Sequence, residues 1–568
     1  MNAPTPMAGL QPPAPLSPSA WPHLPAMVAD VAGQHADRTA FTCVMPNGMN
    51  GSLSYAEVQA HSDAFAHYLR AVCQLHAGDR VALQLPNSLA YPVALLGVLK
   101  AGCVAVNTNP LYTPAEMAHQ FKDSGAQAVV IVDLFADKLE AILAQTDIRH
   151  VVIARLPEFF PPLVGGIVQA VLRHWHRQVP RHALQAVTLA DALALGRAAV
   201  PGPASIYREG LGPDSLALLQ YTGGTTGVAK GAMLTHGNLL ANLEQMLAMA
   251  RSRIEPGREV VLTALPLYHI FAFTVNFLVM FRMGAHNVLV PNPRPVQNLQ
   301  RAFENYPITW VTGVNTLYNA LLSEEWFTAF PPRHLKAAGG GGAAMHAAVV
   351  ARWEKLTGTP LIEGYGLTEA SPVVSFQPLD GPRRPDTIGL PAPGTEVRLA
   401  DDEGDPVAPG EPGELLLRGP QVMQGYWKRP EATAEVLKDG WLHTGDIAVR
   451  DPDGVLRIVD RKKDLVLVSG FNVYPNEVEA VLAEHPGVQE AAVIGVPDAR
   501  SGEAVRAYVV RRDPALAIDD LRSHCAARLT SYKRPVHYEF RDELPKTPIG
   551  KILRKNLRAE VLSACQEA

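Results

Sequence analysis

From about residue 54 to 290, short apolar runs alternate with amphipathic stretches, and this rhythm limits the fold more than any other feature. "RVALQL" (80–85) predicts a strand. "SLAYPVALLGVLKAG" (88–102) predicts a helix capped by Ser88 and stopped by Gly102. "CVAVNTN" (103–109) predicts the next strand, and "AQAVVIVD", "ADKLEAILAQT" and "HVVIAR" (150–155) continue as strand, helix and strand. Such βαβ organisation demands a mostly parallel sheet with helices on its faces.

The texture changes near residue 380, where Pro, Gly and Asp crowd "DGPRRPDTIGLPAPGTEVRLADDEGDPVAPGEPGELLLRG". Short antiparallel strands joined by turns follow from that composition. After "DRKKD" (460–464), strands and helices resume in a unit of about 100 residues, large enough to fold alone. At 568 residues the chain is too long for one core. The expectation is an α/β protein. Its large N-terminal domain of layered βαβ sheets spans 26–459, with a β-rich subdomain at about 380–459. A charged turn at 460–464 marks the boundary to a small α+β C-terminal domain at 465–568.

Bulk composition narrows the function. A net charge of −5 gives no basic field over the whole chain, so nucleic acid is excluded as a default partner. The five cysteines, Cys43, Cys73, Cys103, Cys525 and Cys565, are scattered without a C-x-x-C pair. That pattern fits reduced thiols in a cytoplasmic protein. Residues 1–25 begin with a Pro-rich, uncharged stretch that reads as a disordered leader, not a secretory signal. The apolar run "IFAFTVNFLVMF" is too short to span a bilayer and reads as a buried helix.

"YTGGTTGVAKGAMLTH" (221–236) looks built to hold phosphate, yet departs from G-x-x-x-x-G-K-[ST], because Lys230 follows Gly227 by three positions. It lies between two strand-like segments. A Gly- and Thr-rich turn there can wrap a triphosphate with backbone N–H groups and hydroxyls, while Lys230 supplies a point charge. An ordinary Gly-rich hairpin has the same pattern. Three more clusters follow. "AAGGGGAAM" and "IEGYGLTEASP" combine glycines that admit a flat ligand with an aromatic and a Glu. "GWLHTGDIA" offers Asp446, and "PKTPIGKILRK" places Lys551 on a Gly turn.

Taken together and in this order, these motifs resemble those of the adenylate-forming acyl-CoA synthetases over essentially the whole chain after the leader. "DGWLHTGDIAVRDPDGVLRIVDRKK" (439–463) is similar to the signature of the long-chain fatty acid–CoA ligases of bacteria, as are "LYHIFAFTVN" and "NPRPVQNLQRAFENYPITWVTGVNTLYNALL". The resemblance implies activation of a fatty acid by ATP, with Mg²⁺, to acyl-AMP and pyrophosphate, then transfer to CoA. Alternatives within this chemistry are a medium-chain or aryl acid–CoA ligase, or an acyl-AMP ligase that hands the acyl group to a carrier protein. A binding module without catalysis is the reading from another class.

The resemblance also implies roles. Thr222, Gly223, Gly224, Thr225, Thr226, Gly227 and Lys230 cradle phosphates. Glu369, with Thr225, holds Mg²⁺. Tyr365 stacks on adenine, in a pocket shaped by Gly340, Gly341, Gly364, Gly366 and Thr368. Asp446 accepts from the ribose, assisted by Arg461. Lys551 bridges the carboxylate and the α-phosphate, and His269 shapes the carboxylate site. Segment 460–464 is the hinge about which a mobile C-terminal domain turns, with Lys463 the hinge residue, and Gly470 and Phe471 line the CoA path. Phe273, Thr274 and Phe277 line the acyl tunnel, with Phe273 where some relatives have a gating Trp.

"GGIVQAVLRHWHRQVPRH" (165–182) is short and amphipathic, with Val168, Val171, Leu172, Trp175 and Val179 able to share a face. It reads either as an interfacial helix making peripheral contact with anionic lipid or as a core-packed helix with a basic outer face. The resemblance also allows a homodimer.

Overall fold

The computed structural model describes residues 16–222, 229–380, 383–469, 471–498, 500–547 and 550–567. Two large sheets form its body. One has seven strands, ordered Val187–Thr188, His150–Ala154, Ala126–Val132, Arg80–Gln84, Val104–Asn107, Leu216–Thr222 and Lys230–Thr235. Its pairs are parallel except the last, an antiparallel hairpin. The other has nine strands, with a parallel centre running through Val260–Thr263, Trp310–Gly313, Ala337–Gly340 and Leu361–Gly366. Ala126–Val132 is buried at every position except Gln127, as an apolar strand covered on both faces must be.

The helix Ala90–Lys100 is buried along its whole length. A helix that is apolar all round belongs inside a large core. It joins the two sheets, because the Tyr91 hydroxyl lies 2.9 Å from both Asn107 Oδ1 and the Leu267 carbonyl. Its one charge, Lys100, is satisfied by Asp63 at 2.9 Å and by Gln59 and Ser62. Gly102 ends the segment with φ +71°, as expected. Ser88 is not its cap. Leu89 takes that position and Ser88 only accepts, through its carbonyl, from the Tyr91 N–H. "ADKLEAILAQT" is also less regular than its apolar period predicts: Ala136–Glu140 is helical, and Leu143–Gln145 is a separate 3₁₀ turn.

The β-rich sheet contains Glu396–Ala400, Gly413–Arg418, Leu437–Lys438, Trp441–Arg450 and Leu456–Arg461. A fourth sheet contains Val466–Val468, Phe471–Val473, Val488–Asp498, Gly502–Arg511 and His537–Arg541. The 3₁₀ turn Lys462–Asp464 connects the two. Near the N-terminus, Trp21 and Leu24, assigned to the leader by composition, are packed: the Arg282 guanidinium sits 4.5 Å from the Trp21 ring, and Leu24 is fully buried.

Residues 270–282 form one helical run, buried except at the half-buried Phe271 and Arg282, α-helical at its ends and π-helical over Phe273–Val279. Among the described residues, no helix is long and apolar enough to cross a membrane. The helix Pro162–Ala170 passes into a π turn at Val171–Trp175. The shared face expected there divides, with Val168 and Leu172 buried and Val171 and Trp175 exposed.

Candidate active site

The hairpin expected to hold phosphate is an antiparallel ladder of Leu216–Thr222 and Lys230–Thr235. Thr222 pairs with Lys230 across the two strands. Gly223, Gly224, Thr225, Thr226 and Gly227 lie outside the described residues. Below the tip, the Tyr221 hydroxyl donates to Asp123 Oδ2 at 2.7 Å, and Arg429 lies 2.5 Å from the other oxygen of that carboxylate.

Segment 424–427 runs along the outer strand of this hairpin. Met233 N–H donates to the Gly425 carbonyl, and Trp427 N–H to that of Gly231. This pairing seats Tyr426 between two expected site residues. The Lys230 ammonium is 5.2 Å from its ring centroid, within cation–π range. The Tyr426 hydroxyl donates to Glu369 Oε1 at 2.7 Å. Burial, then the Glu369 charge, holds this phenol well above the usual range. Sequence reasoning missed Tyr426. Its only local signal is the Gly-Tyr-Trp run beside a charged turn, and its position depends on pairing with a distant strand.

Glu369 stands on the one-turn 3₁₀ helix Thr368–Ala370, and its carbonyl accepts from Met423 N–H at 2.8 Å. This turn leaves the end of strand Leu361–Gly366, the edge at which open α/β sheets present ligand sites. The glycines are there because the backbones are close. A Cβ on Gly341 would lie 3.1 Å from the Gly364 carbonyl oxygen, and one on Gly366 would lie 2.3 Å from that of Pro372. Gly340 pairs with Glu363 at the same place.

Tyr365, on that strand, donates its hydroxyl to Asp446 Oδ2 at 2.5 Å. Burial and then the Asp446 charge raise its pKa far above the usual value. Asp446 faces Arg461 across an antiparallel pair, and Arg461 Nε lies 3.1 Å from its other oxygen. Each carboxylate oxygen carries about two lone pairs, so these partners leave Asp446 acceptor capacity for a diol.

Lys551 reaches the same place from the C-terminal unit. Its loop is a tight hairpin: Thr547 N–H donates to the Lys551 carbonyl, and Lys551 N–H to Thr547 Oγ1. Gly550 turns it with φ +90°, and a Cβ there would meet Thr316 Oγ1 at 2.7 Å and Val314 at 3.1 Å. The hairpin is therefore pressed against the large domain. Burial, followed by the Arg461 charge, lowers the Lys551 pKa to about 7, while Asp446 opposes the shift. His269 is lowered to about 4 by burial and then by Lys551. The imidazole is thus neutral near pH 7, with Nδ1 accepting from Phe271 N–H at 3.3 Å.

Lys463 belongs to the connecting turn and feels the charges of Arg461, Asp446 and Glu369. Burial is the main cause of its lowered pKa. Arg554 braces the turn, 3.3 Å from Asp464, 3.8 Å from Asp460 and 2.7 Å from Glu479. Phe471 is exposed and stacks on Tyr532 with centroids 4.9 Å apart. Gly470 lies outside the described residues. Phe273 and Phe277 are fully buried and meet edge to face at 6.2 Å. Thr274 donates to the Ser371 carbonyl at 2.7 Å, which ties this helix to the Glu369 turn.

The arrangement gathers three lysines, Lys230, Lys463 and Lys551, with Arg461 and the two carboxylates Glu369 and Asp446. The model of the AMP-binding enzyme family matches residues 28–427, and that of the AMP-binding enzyme C-terminal domain matches 477–551. The chain belongs to the AMP-binding enzyme family. It is 50% identical over 549 residues to a long-chain-fatty-acid–CoA ligase of Escherichia coli O157:H7, covering 96% of each chain. An anthranilate CoA ligase in complex with anthranoyl-AMP superposes with TM-score 0.84 at 25% identity, covering 96% of this chain and 99% of that one. MatB from Rhodopseudomonas palustris, 31% identical, superposes with TM-score 0.81 in its ATP-bound form, covering 94% of this AMP-binding enzyme and 98% of MatB. The apo form of MatB, with the same coverage, gives 0.72.

Proposed function

We propose that this AMP-binding enzyme is a long-chain fatty acid–CoA ligase that works in two half-reactions through an acyl-adenylate. In the first, a carboxylate oxygen attacks the α-phosphorus of ATP. The new O–P bond replaces the bond to the β-phosphate bridge, and pyrophosphate leaves. In the second, the CoA sulfur, having lost its proton, attacks the acyl carbon, and AMP leaves with the C–O bond electrons.

The observation that carries this reading is the placing of Lys551. Its hairpin is seated against Val314 and Thr316, and its charge is coupled to Asp446, Arg461 and His269. A cation fixed there offsets the repulsion between two reacting anions. Their arrival favours the protonated form of a lysine that burial has brought to about 7. Neutral His269 can border the carboxylate without competing for it. Lys230 and the Gly/Thr loop hold the β- and γ-phosphates, Tyr365 with its flanking glycines receives the adenine, and Asp446 takes the ribose hydroxyls. The better superposition on ATP-bound than on apo MatB supports an arrangement poised for adenylation.

The residues present fit Mg²⁺. Glu369 and the Thr225 hydroxyl are oxygen donors, and this ion is ordinarily held by one or two carboxylates plus phosphate oxygens. Among the described residues there is no cluster of three His, Cys, Asp or Glu that would form an all-protein cage for a metal. Bound at Glu369, Mg²⁺ would neutralise charge on the phosphoryl oxygens.

After adenylation, rotation about Lys463 withdraws Lys551 and brings the segment around Gly470 and Phe471 to the site as the CoA path. Phe273, Thr274 and Phe277 border the acyl chain, and the closed packing of Phe273 supports a gate. ATP–pyrophosphate exchange tests the first step. The enzyme should exchange labelled pyrophosphate into ATP with palmitate and without CoA; exchange that requires CoA would refute a free-standing adenylation step.

A further inference from the structure

Four of the twelve large apolar side chains exposed among the described residues fall within residues 163–175. They are Leu163, Ile167, Val171 and Trp175, with 84%, 55%, 39% and 82% of their surface exposed. Single exposed apolar residues are ordinary, whereas a contiguous group marks a contact surface.

The spacing makes a row. Residues four apart drift around an α-helix of 3.6 residues per turn. The π turn at Val171–Trp175, closed by His176 N–H on the Val171 carbonyl at 2.9 Å, takes up this drift. It returns Trp175 to the line of Ile167 and Val171. The opposite side of the helix is fixed. Val168 and Leu172 are buried, and Gln169 donates to the buried Asp133 carboxylate at 2.6 Å. The row cannot turn inward without breaking these contacts.

Charge then selects the partner. Arg173 is exposed within the last turn, and Arg177 and Arg181 are exposed just past the end of the row, with His174 and His176 between the first two and His182 after the third, all exposed. No acidic residue occurs between Glu158 and Asp191, in a chain whose net charge is −5. A second copy meeting this face with its own would bring like charges together. A bilayer with anionic headgroups satisfies both parts, the row entering the acyl boundary and the arginines remaining among phosphates.

We propose that residues 162–181 form a membrane-docking face that lays this enzyme on an anionic phospholipid surface. The inference rests on the long-chain ligase reading for its purpose, since a long-chain acid partitions into the bilayer where the face would hold the enzyme. It rests on the helix alone for its physical basis.

Co-sedimentation of the full-length protein with phosphatidylcholine vesicles, with and without phosphatidylglycerol, tests it. Wild type should sediment with the mixed vesicles and stay in solution with the neutral ones. Replacing Arg173, Arg177 and Arg181 by Gln should weaken binding about 100-fold. The double variant Ile167→Ser, Trp175→Ser should also release the protein. Both variants alter exposed side chains and should ligate decanoate to CoA like wild type without vesicles. Wild-type binding by both variants would overturn the proposal. So would a wild type that ignores vesicles but forms a dimer, by sedimentation velocity, that the double variant abolishes. Vesicle binding by a wild type inactive on every fatty acid would support the docking face and overturn the ligase reading.

Discussion

The Tyr426 hydroxyl donates to Glu369 at 2.7 Å, while Lys230 rests over the face of the same ring. One aromatic thus orients both the expected magnesium ligand and the expected phosphate lysine. Hydrogen bonds to charged groups contribute about 1.5–3 kcal/mol, so Tyr426→Phe should raise the Mg²⁺ concentration for half-maximal adenylation roughly tenfold or more. A magnesium titration of pyrophosphate release checks this. An unchanged midpoint with lowered thermal stability would assign Tyr426 to packing alone.

Lys551→Ala should lower adenylation by about 10²–10³ and leave thioester formation from supplied acyl-AMP near the wild-type rate. Measured separately, the half-reactions should part company. Equal losses in both would remove Lys551 from its role at the α-phosphate.

The pH profile follows from the same side chain. In its proposed role Lys551 acts as a cation, and in this structure its pKa is lowered to about 7. The kcat/KM for adenylation, which reports the free enzyme, should therefore fall as pH rises through about 7. Lys551→Arg keeps a cation at all these pH values and should flatten that limb, whatever its rate. His269, at about 4, is neutral throughout and adds no limb near neutrality. A fall that persists unchanged in the Arg variant would belong to another group.

Arg554 touches carboxylates on both sides of the connecting turn and is largely buried. Arg554→Ala leaves Asp464 and Glu479 without that partner and should destabilise the C-terminal unit by about 3–5 kcal/mol in denaturant unfolding. At the turn itself, Lys463→Pro should spare adenylation and abolish thioester formation. A Pro variant normal in both steps would place the hinge elsewhere.

What was legible in the sequence was what short range determines. Apolar runs such as "AQAVVIVD" became buried strands because both faces of a parallel sheet are covered, and Gly102 ended its helix because it adopts a positive φ. Ser88 was misleading because a good capping residue caps only if the chain enters the helix there, and Leu89 does so instead. Tyr426 was hidden because segment 424–427 reaches Glu369 only by pairing with residues 231–233. The apolar period of 165–182 suggested one face, but a π turn and two inward side chains divided it.

The most direct test of the central claim is AMP release with ATP, Mg²⁺ and CoA across saturated acids from butyrate to stearate, with benzoate alongside. The account predicts CoA-dependent AMP release that is strongest with laurate to stearate, because each further buried methylene adds about 0.8 kcal/mol of binding. An optimum at benzoate or butyrate would contradict the long-chain assignment, and no AMP with any acid would contradict the adenylation chemistry itself.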